Sequence, residues 1–272
     1  MSQTLLDGGI QEIVEVLTPD ETGAISVVNP SVATVTGIVE SLESPAERRV
    51  EILARDSVLK AVTGDFIVAS AIADLEAADI LELRTGVENA ENTMMVTEDR
   101  VVALIAVGRS VAGLSTDDRD FVTRVNDKTQ EQWARGASFS HRTPPLERVQ
   151  ETLSTEIGED VWEDFDGMLS ALGTARGDGD GLDEVAISLL VAARNGILLY
   201  DISKWGEDVG LASKATFSRT KTRLEDAGLI DTEKVPIEVG RPRLRLVLGD
   251  DGLKQAPLDE LANSSIARLA PE

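Results

Sequence analysis

Short apolar runs alternate with stretches at helical spacing along the first 110 or so residues. Ala24 to Asn29 (AISVVN) and Arg49 to Ala54 (RVEILA) predict strands, with a helix between them over Ser31 to Leu42. Asp56 to Ala78 is apolar at Val58, Leu59, Val62, Ile67, Ala71 and Leu75, a helical spacing interrupted at Gly64. Ile80 to Thr85, Asn92 to Thr97 and Arg100 to Val107 predict further strands. The last two flank Glu98-Asp99, the spacing of a two-residue hairpin without its favoured glycine. Strands that alternate with helices and end in a hairpin imply a mixed α/β sheet of four or five strands over residues 1–112.

From Ser115 the pattern turns helical. The STDD run offers an N-cap followed by early acids, and Phe121, Val122, Val125, Thr129 and Trp133 recur on one face. After Pro144-Pro145, Leu146 to Leu172 reads as one acidic helix with a long apolar stripe, covered either by the first domain or by a second subunit. Residues 113–176 are therefore expected to form a helical connector, and Gly173 to Gly181 (GTARGDGDG) a glycine-rich linker that marks the domain boundary. Asp178 and Asp180 have the spacing of the first two ligands of a calcium loop. Leu182 and Leu189 then fall where carboxylates are required, so a solvated turn is expected, with Asp183 near the start of the next helix.

Residues 182–250 follow another grammar: an apolar helix over Leu182 to Asn195, a second over Tyr200 to Val209 ending at Gly210, and a third beginning after Ser213, an N-cap type. Helix, short turn, helix is an arrangement that binds DNA. On a wheel of about 100° per residue, Phe217 and Leu224 of the third helix point one way, with Thr220 beside them. Ala215, Ser218, Arg219 and Thr222 point the other way, flanked by Thr216 and Arg223. Small residues let a helix approach the major groove, and arginine offers the fork that guanine edges accept. Leu229 to Lys234 and Arg243 to Leu248 then predict a hairpin with leucines inward, arginines outward and Arg241 at a stiff Gly-Arg-Pro tip suited to phosphates or a minor groove. Residues 251–272 are left as a tail.

Composition changes what this pattern can mean. The chain has 272 residues, 42% of them apolar, enough for two domains. It carries 49 acids against 26 basic residues, a net charge of -23, which argues against a simple basic nucleic-acid binder. Yet Ser213 to Leu248 holds eight basic residues and five acids, an island of opposite sign. Acid excess, arginine over lysine and only 3% aromatics resemble proteins of salt-in halophilic archaea. In molar salt the Debye length is about 3 Å, so local charge guides better than net charge. With no cysteine there is no disulfide or thiolate site, and the single His141 excludes any two-histidine metal site. His141 is expected at the surface or in a linker. No Walker-type phosphate loop occurs, since Gly206, Gly210 and Lys214 have the wrong spacing. No apolar run is long enough to span a membrane and the N-terminus has no basic start, so a soluble, cytoplasmic protein is expected.

Through SKATFSRTKTRLEDAGLI and GRPRLRL the last third resembles the winged helix-turn-helix of prokaryotic transcription regulators, except at Lys221, where such helices bury an aliphatic residue. The longer string from Leu198 to Leu246, with the upstream acidic helix and the GDGDGLDE linker, resembles the haloarchaeal TbsP-type transcriptional regulators over nearly the whole chain. The first domain is similar to the phospholipase D-like sensor domain of archaeal sugar-responsive regulators, but lacks the H-x-K-x4-D signature of the enzymes. The resemblance implies an α+β protein: a mixed α/β sensor domain, a helical connector and a winged helix-turn-helix domain. It implies a sequence-specific DNA-binding regulator of sugar or central carbon metabolism that is not an enzyme and uses no cofactor or metal. The expected DNA-binding residues are Ser213, Lys214, Thr216, Ser218, Arg219, Thr222, Arg223, Arg241 and Arg243. The expected partners are duplex operator DNA, a second copy of the chain, and a metabolite effector or second regulator whose site is unassigned; Asn29, Arg55 and Asp56 follow strands but suit structural turns equally well. The alternatives are an adaptor or chromosome-associated protein, or an enzyme using the first domain.

Overall fold

The structure is a computed structural model that describes residues 4–8, 10, 13, 23–42, 49–86, 92–107, 110–176, 181–236 and 242–270. It divides into two compact units, one of Met1–Gly64 and Ala71–His141, the other of Asp65–Ser70 and Arg142–Glu272.

Among the described residues the first unit has a mixed sheet of eight strands rather than four or five. In sequence they are β1 (Thr4–Gly8), β2 (Ile25–Val28), β3 (Val50–Ala54), β4 (Leu81–Thr85), β5 (Thr93–Val96), β6 (Val101–Val107), β7 (Ser110–Thr116) and β8 (Ala137–Ser138). Their spatial order is β1-β7-β6-β5-β2-β3-β4-β8. β2, β3 and β4 are parallel neighbours, connected through α1 (Val32–Ser41), α2 (Asp56–Val62) and α3 (Phe66–Ala77), and the other pairings are antiparallel. The Ser31 hydroxyl starts α1 by accepting the Thr34 N–H at 3.1 Å. Period-two alternation places Ile25, Val27, Val50, Ile52, Leu81 and Leu83 in the core, with Val35, Ile38, Leu59 and Ile72 from the helices also buried.

β7 is the strand that the STDD signal hides. Ser115 and Thr116 pair with Val102 and Val101 of β6, and Asp118 caps α4 (Arg119–Arg135) by accepting the Phe121 N–H at 3.0 Å. A paired ladder along β6 satisfies more backbone groups than one cap two residues earlier would. Asn29, with φ +52°, turns the chain after β2, Arg55 is the N-cap residue of α2, and Asp56 pairs with Lys60 at 2.7 Å. His141 lies in the segment between β8 and the next helix, where the first unit ends, and its side chain is not at the surface: it is only 7% exposed and Nε2 lies 3.2 Å from Glu76 Oε2.

In the second unit the expected connector over 113–176 does not exist as one element. Its first part is β7 and α4 of the first unit, and Leu146 to Leu172 forms two helices, α5 (Leu146–Glu156) and α6 (Glu159–Leu172), broken at Ile157-Gly158. Their stripe (Val149, Leu153, Val161, Phe165, Met168) enters one core with α7 (Glu184–Arg194), α8 (Leu199–Val209), α9 (Lys214–Asp226) and the hairpin β9 (Ile230–Val235)–β10 (Arg243–Leu248). The stripe is thus covered by its own unit. The tail is likewise corrected: it forms α10 (Asp251–Gln255) and α11 (Leu258–Leu269), whose Leu253, Leu261 and Ala262 are buried in the same core.

The glycine-rich boundary is corrected too. The buried Asp65 carboxylate accepts from the Thr174 hydroxyl at 2.5 Å, the Ala175 N–H at 3.2 Å and Arg176 Nε at 3.1 Å, tying the segment after α6 to the start of α3. Apolar helices on both sides of Gly173 to Gly181 belong to one core, so the unit boundary lies at His141/Arg142 instead. Asp178 and Asp180 lie outside the described residues. Asp183 caps α7, accepting the Ala186 N–H at 2.7 Å.

Candidate nucleic-acid interface

α7, α8 and α9 form the helix-turn-helix core, and β9–β10 forms the hairpin that follows it. Gly210, with φ +92°, ends α8, and Ser213 starts α9 by accepting the Thr216 N–H at 3.2 Å. α8 and α9 meet closely because Gly206 has no side chain: a Cβ there would lie 2.3 Å from Cζ of Phe217, which is fully buried. Trp205 anchors α8 beside it, its indole N–H donating to the Thr152 hydroxyl at 2.9 Å. Leu198 bridges to Arg245, and the Leu246 N–H donates to the Ile197 carbonyl at 2.9 Å, so the chain before α8 lies along β10.

α9 divides as the helical wheel predicts for most positions. Phe217, Thr220 and Leu224 are buried, while Lys214, Ala215, Ser218, Arg219 and Thr222 are exposed. Thr222 donates its hydroxyl to the Ser218 carbonyl at 3.2 Å, and Arg219 Nη2 reaches the Thr216 hydroxyl at 3.4 Å. The Ser213 and Thr216 hydroxyls are 3.1 Å apart, so both are engaged in the cap. Arg223 departs from its expected outward place. It is half-buried, and its Nε and Nη2 are buried without a hydrogen-bond partner. On the wheel it sits about 60° from the buried Thr220, which draws its stem toward the packed side. At Lys221 the stem is buried, with the side chain 15% exposed, and the ammonium turns to Glu225 at 2.7 Å.

In the hairpin Leu246 and Leu248 are buried and Leu244 half-buried, with Arg243 and Arg245 exposed between them. Arg243 pairs with Val235 and Arg245 with Glu233 across the strands. Arg241 at the expected tip lies outside the described residues. Lys214 and Ser218 of α9 line a single open cleft of about 360 Å³ together with Pro242 and Arg243 of the hairpin and Tyr200 and Ser203 of α8. Reading helix and hairpin base therefore face the same side.

Three residues of this cleft region carry no sequence signal of the kind used above. Tyr200, exposed and the sole tyrosine of the chain, lies with its ring centroid 4.7 Å from the Arg243 guanidinium. Asp201 Oδ1 is 3.5 Å from Arg243 Nη1, and Glu207 Oε2 is 2.8 Å from Lys214 Nζ. The hydrogen bond from Lys214 lowers the Glu207 pKa, and the same contact raises that of Lys214. Among the described residues no cluster of three or more His, Asp or Glu side chains could hold a metal ion, and no helix is long and apolar enough to cross a membrane.

No curated protein matches the chain. Among solved structures it is similar to the archaeal chromatin protein TrmBL2, whose structure "shows a novel mode of DNA binding", at 14% identity and a TM-score of 0.39. That match covers 51% of this chain, which spans about half (54%) of the other. Two family profiles cover nearly all of the sequence, "Transcriptional regulator TbsP-like, N-terminal" over residues 2–144 and "Transcriptional regulator TbsP-like, C-terminal HTH domain" over residues 145–266. With a helix-turn-helix, a hairpin beside it and both profiles in place, the chain belongs to the family of TbsP-like transcriptional regulators.

Proposed function

We propose that the protein reads specific operator sequences through the outward face of α9 and the base of the β9–β10 hairpin, binds as a homodimer, and works by binding rather than catalysis. The observation that carries this reading is the shared cleft, in which Lys214 and Ser218 of the reading helix and Arg243 of the hairpin face one side. One reading helix spans only a few base pairs, and two of them about 34 Å apart span a palindrome. The first unit is read as the sensing part, responsive to a metabolite or a second regulator, and the regulated genes as those of sugar or central carbon metabolism in a cytoplasm of high salt. The resemblance to sugar-responsive archaeal regulators and the acidic, lysine-poor composition support these finer assignments.

Selection of duplexes from a random library on the full-length protein supplies the probe. Arg219→Ala and Arg243→Ala are each expected to weaken its binding about five- to 150-fold, from contacts of about 1–3 kcal/mol, without a change in Tm. Unaltered affinity for both variants, or failure to enrich any sequence, would refute the reading. Chromatin occupancy with and without glucose then tests the regulated genes: discrete promoters that respond to the sugar are expected, and diffuse coverage would contradict a promoter-specific role.

A further inference from the structure

We propose that Glu207 and Asp201 are built-in stand-ins for DNA phosphate, so that duplex binding trades their carboxylates for phosphate groups and takes up cations from solution. This inference rests on the DNA-binding reading and adds to it the residues that set affinity and salt response. Glu207 Oε2 sits 2.8 Å from the Lys214 ammonium, and its Oε1 accepts the Lys214 backbone N–H at 3.4 Å. Lys214 is the first residue of α9, so the carboxylate holds both the cation and a free amide at the start of the reading helix, the two partners a phosphate would use there. Asp201 occupies Arg243 in the same manner, on a guanidinium held over the Tyr200 ring. Two cations of the cleft are thus already bound to oxyanions of the protein itself.

Both carboxylates remain within reach of solvent, Glu207 with 45% and Asp201 with 42% of the side chain exposed, so phosphate can displace them without unfolding. After displacement each carboxylate stays beside a polyanion, on helix α8, and needs a counterion. An ordinary basic interface releases about 0.9 cation per phosphate it neutralises, which makes binding fall steeply with salt. Here each freed acid recaptures up to one cation, so release and uptake offset and the salt dependence flattens. An interface of this kind keeps its grip where screening removes most of the attraction between bare charges.

The test uses full-length protein and a fluorescein-labelled duplex of about 30 base pairs recovered by the selection above, with anisotropy read from about 0.2 to 1 M KCl. The Asp201→Asn/Glu207→Gln double variant is expected to bind about two- to tenfold tighter at the lowest salt. Its plot of log affinity against log salt is expected to steepen by about 1–2 relative to wild type. Asp251→Asn serves as control: that acid is 89% exposed, pairs with Lys254 and lies beyond the opposite end of β10 from Arg243, so both quantities should stay as in wild type. An unchanged slope in the double variant, or the same steepening in Asp251→Asn, overturns the inference while leaving DNA binding intact. No binding by the wild-type protein would overturn the DNA reading itself, and this inference with it.

Discussion

Gly206→Ala tests the close approach of α8 and α9 on which the interface depends. The added methyl would lie 2.3 Å and 2.4 Å from two ring carbons of Phe217, against the roughly 3.5–4.0 Å of a normal carbon contact. Relief requires the helices to part by about 1 Å or the ring to leave its rotamer, and Phe217 is fully buried in a core that packs closely. Such overpacking costs about 1–3 kcal/mol. Alanine also favours a helix interior over glycine by about 1 kcal/mol, which works the other way. The net expectation is a loss of up to about 2 kcal/mol, read by urea unfolding, together with weaker DNA binding because α9 is displaced. Trimming the ring in the Phe217→Leu variant frees space, so the double variant should lose less than the sum of the two single changes, with a coupling of about 1 kcal/mol. A Gly206→Ala protein more stable than wild type by the full helix-propensity gain of about 1 kcal/mol would refute the packing argument.

Two further predictions concern the same unit. Burial raises the Glu184 pKa to about 7 at the start of α7, despite a backbone hydrogen bond that lowers it, so the folded form holds a proton that the unfolded chain loses near 4.5. Its contribution is therefore full below about pH 4.5 and lost as pH rises to about 7, at most about 3 kcal/mol, and Glu184→Gln should remove that slope from a pH series of unfolding curves. Asp65→Asn removes the charge that accepts from Thr174, Ala175 and Arg176, and should cost about 2 kcal/mol in chemical denaturation; no loss would show that the segment after α6 is not held by this carboxylate.

The elements with strong local signals were legible before any coordinates. The β2-α1-β3 alternation, the break at Gly64, the Ser213 cap, and the buried side of α9 at Phe217 and Leu224 all follow from local spacing and residue type. Elements whose partners lie far along the chain carry local signals that point elsewhere. The STDD run does supply the cap of α4, at Asp118, but the pairing of Ser115 and Thr116 with β6 keeps its first two residues in a strand. Gly173 to Gly181 reads as a boundary, but Asp65, 109 residues before Thr174, pins its first part. In the candidate site, Lys214, Ser218, Arg219, Thr222 and Arg243 lie exposed, whereas Arg223 turns toward the packed side, a distinction of about 60° that a wheel alone does not resolve.

The sequence by itself determined the helix-turn-helix and its hairpin, because caps, periodicity and alternation act within a few residues and are written wherever they apply. Only the tertiary structure decided that Tyr200 and Asp201 meet Arg243, that Glu207 holds Lys214, and that the apolar stripe of α5 and α6 is covered by its own unit. Those contacts depend on where separate elements come to rest, and a side chain's partner is chosen by packing across the fold rather than by its neighbours along the chain.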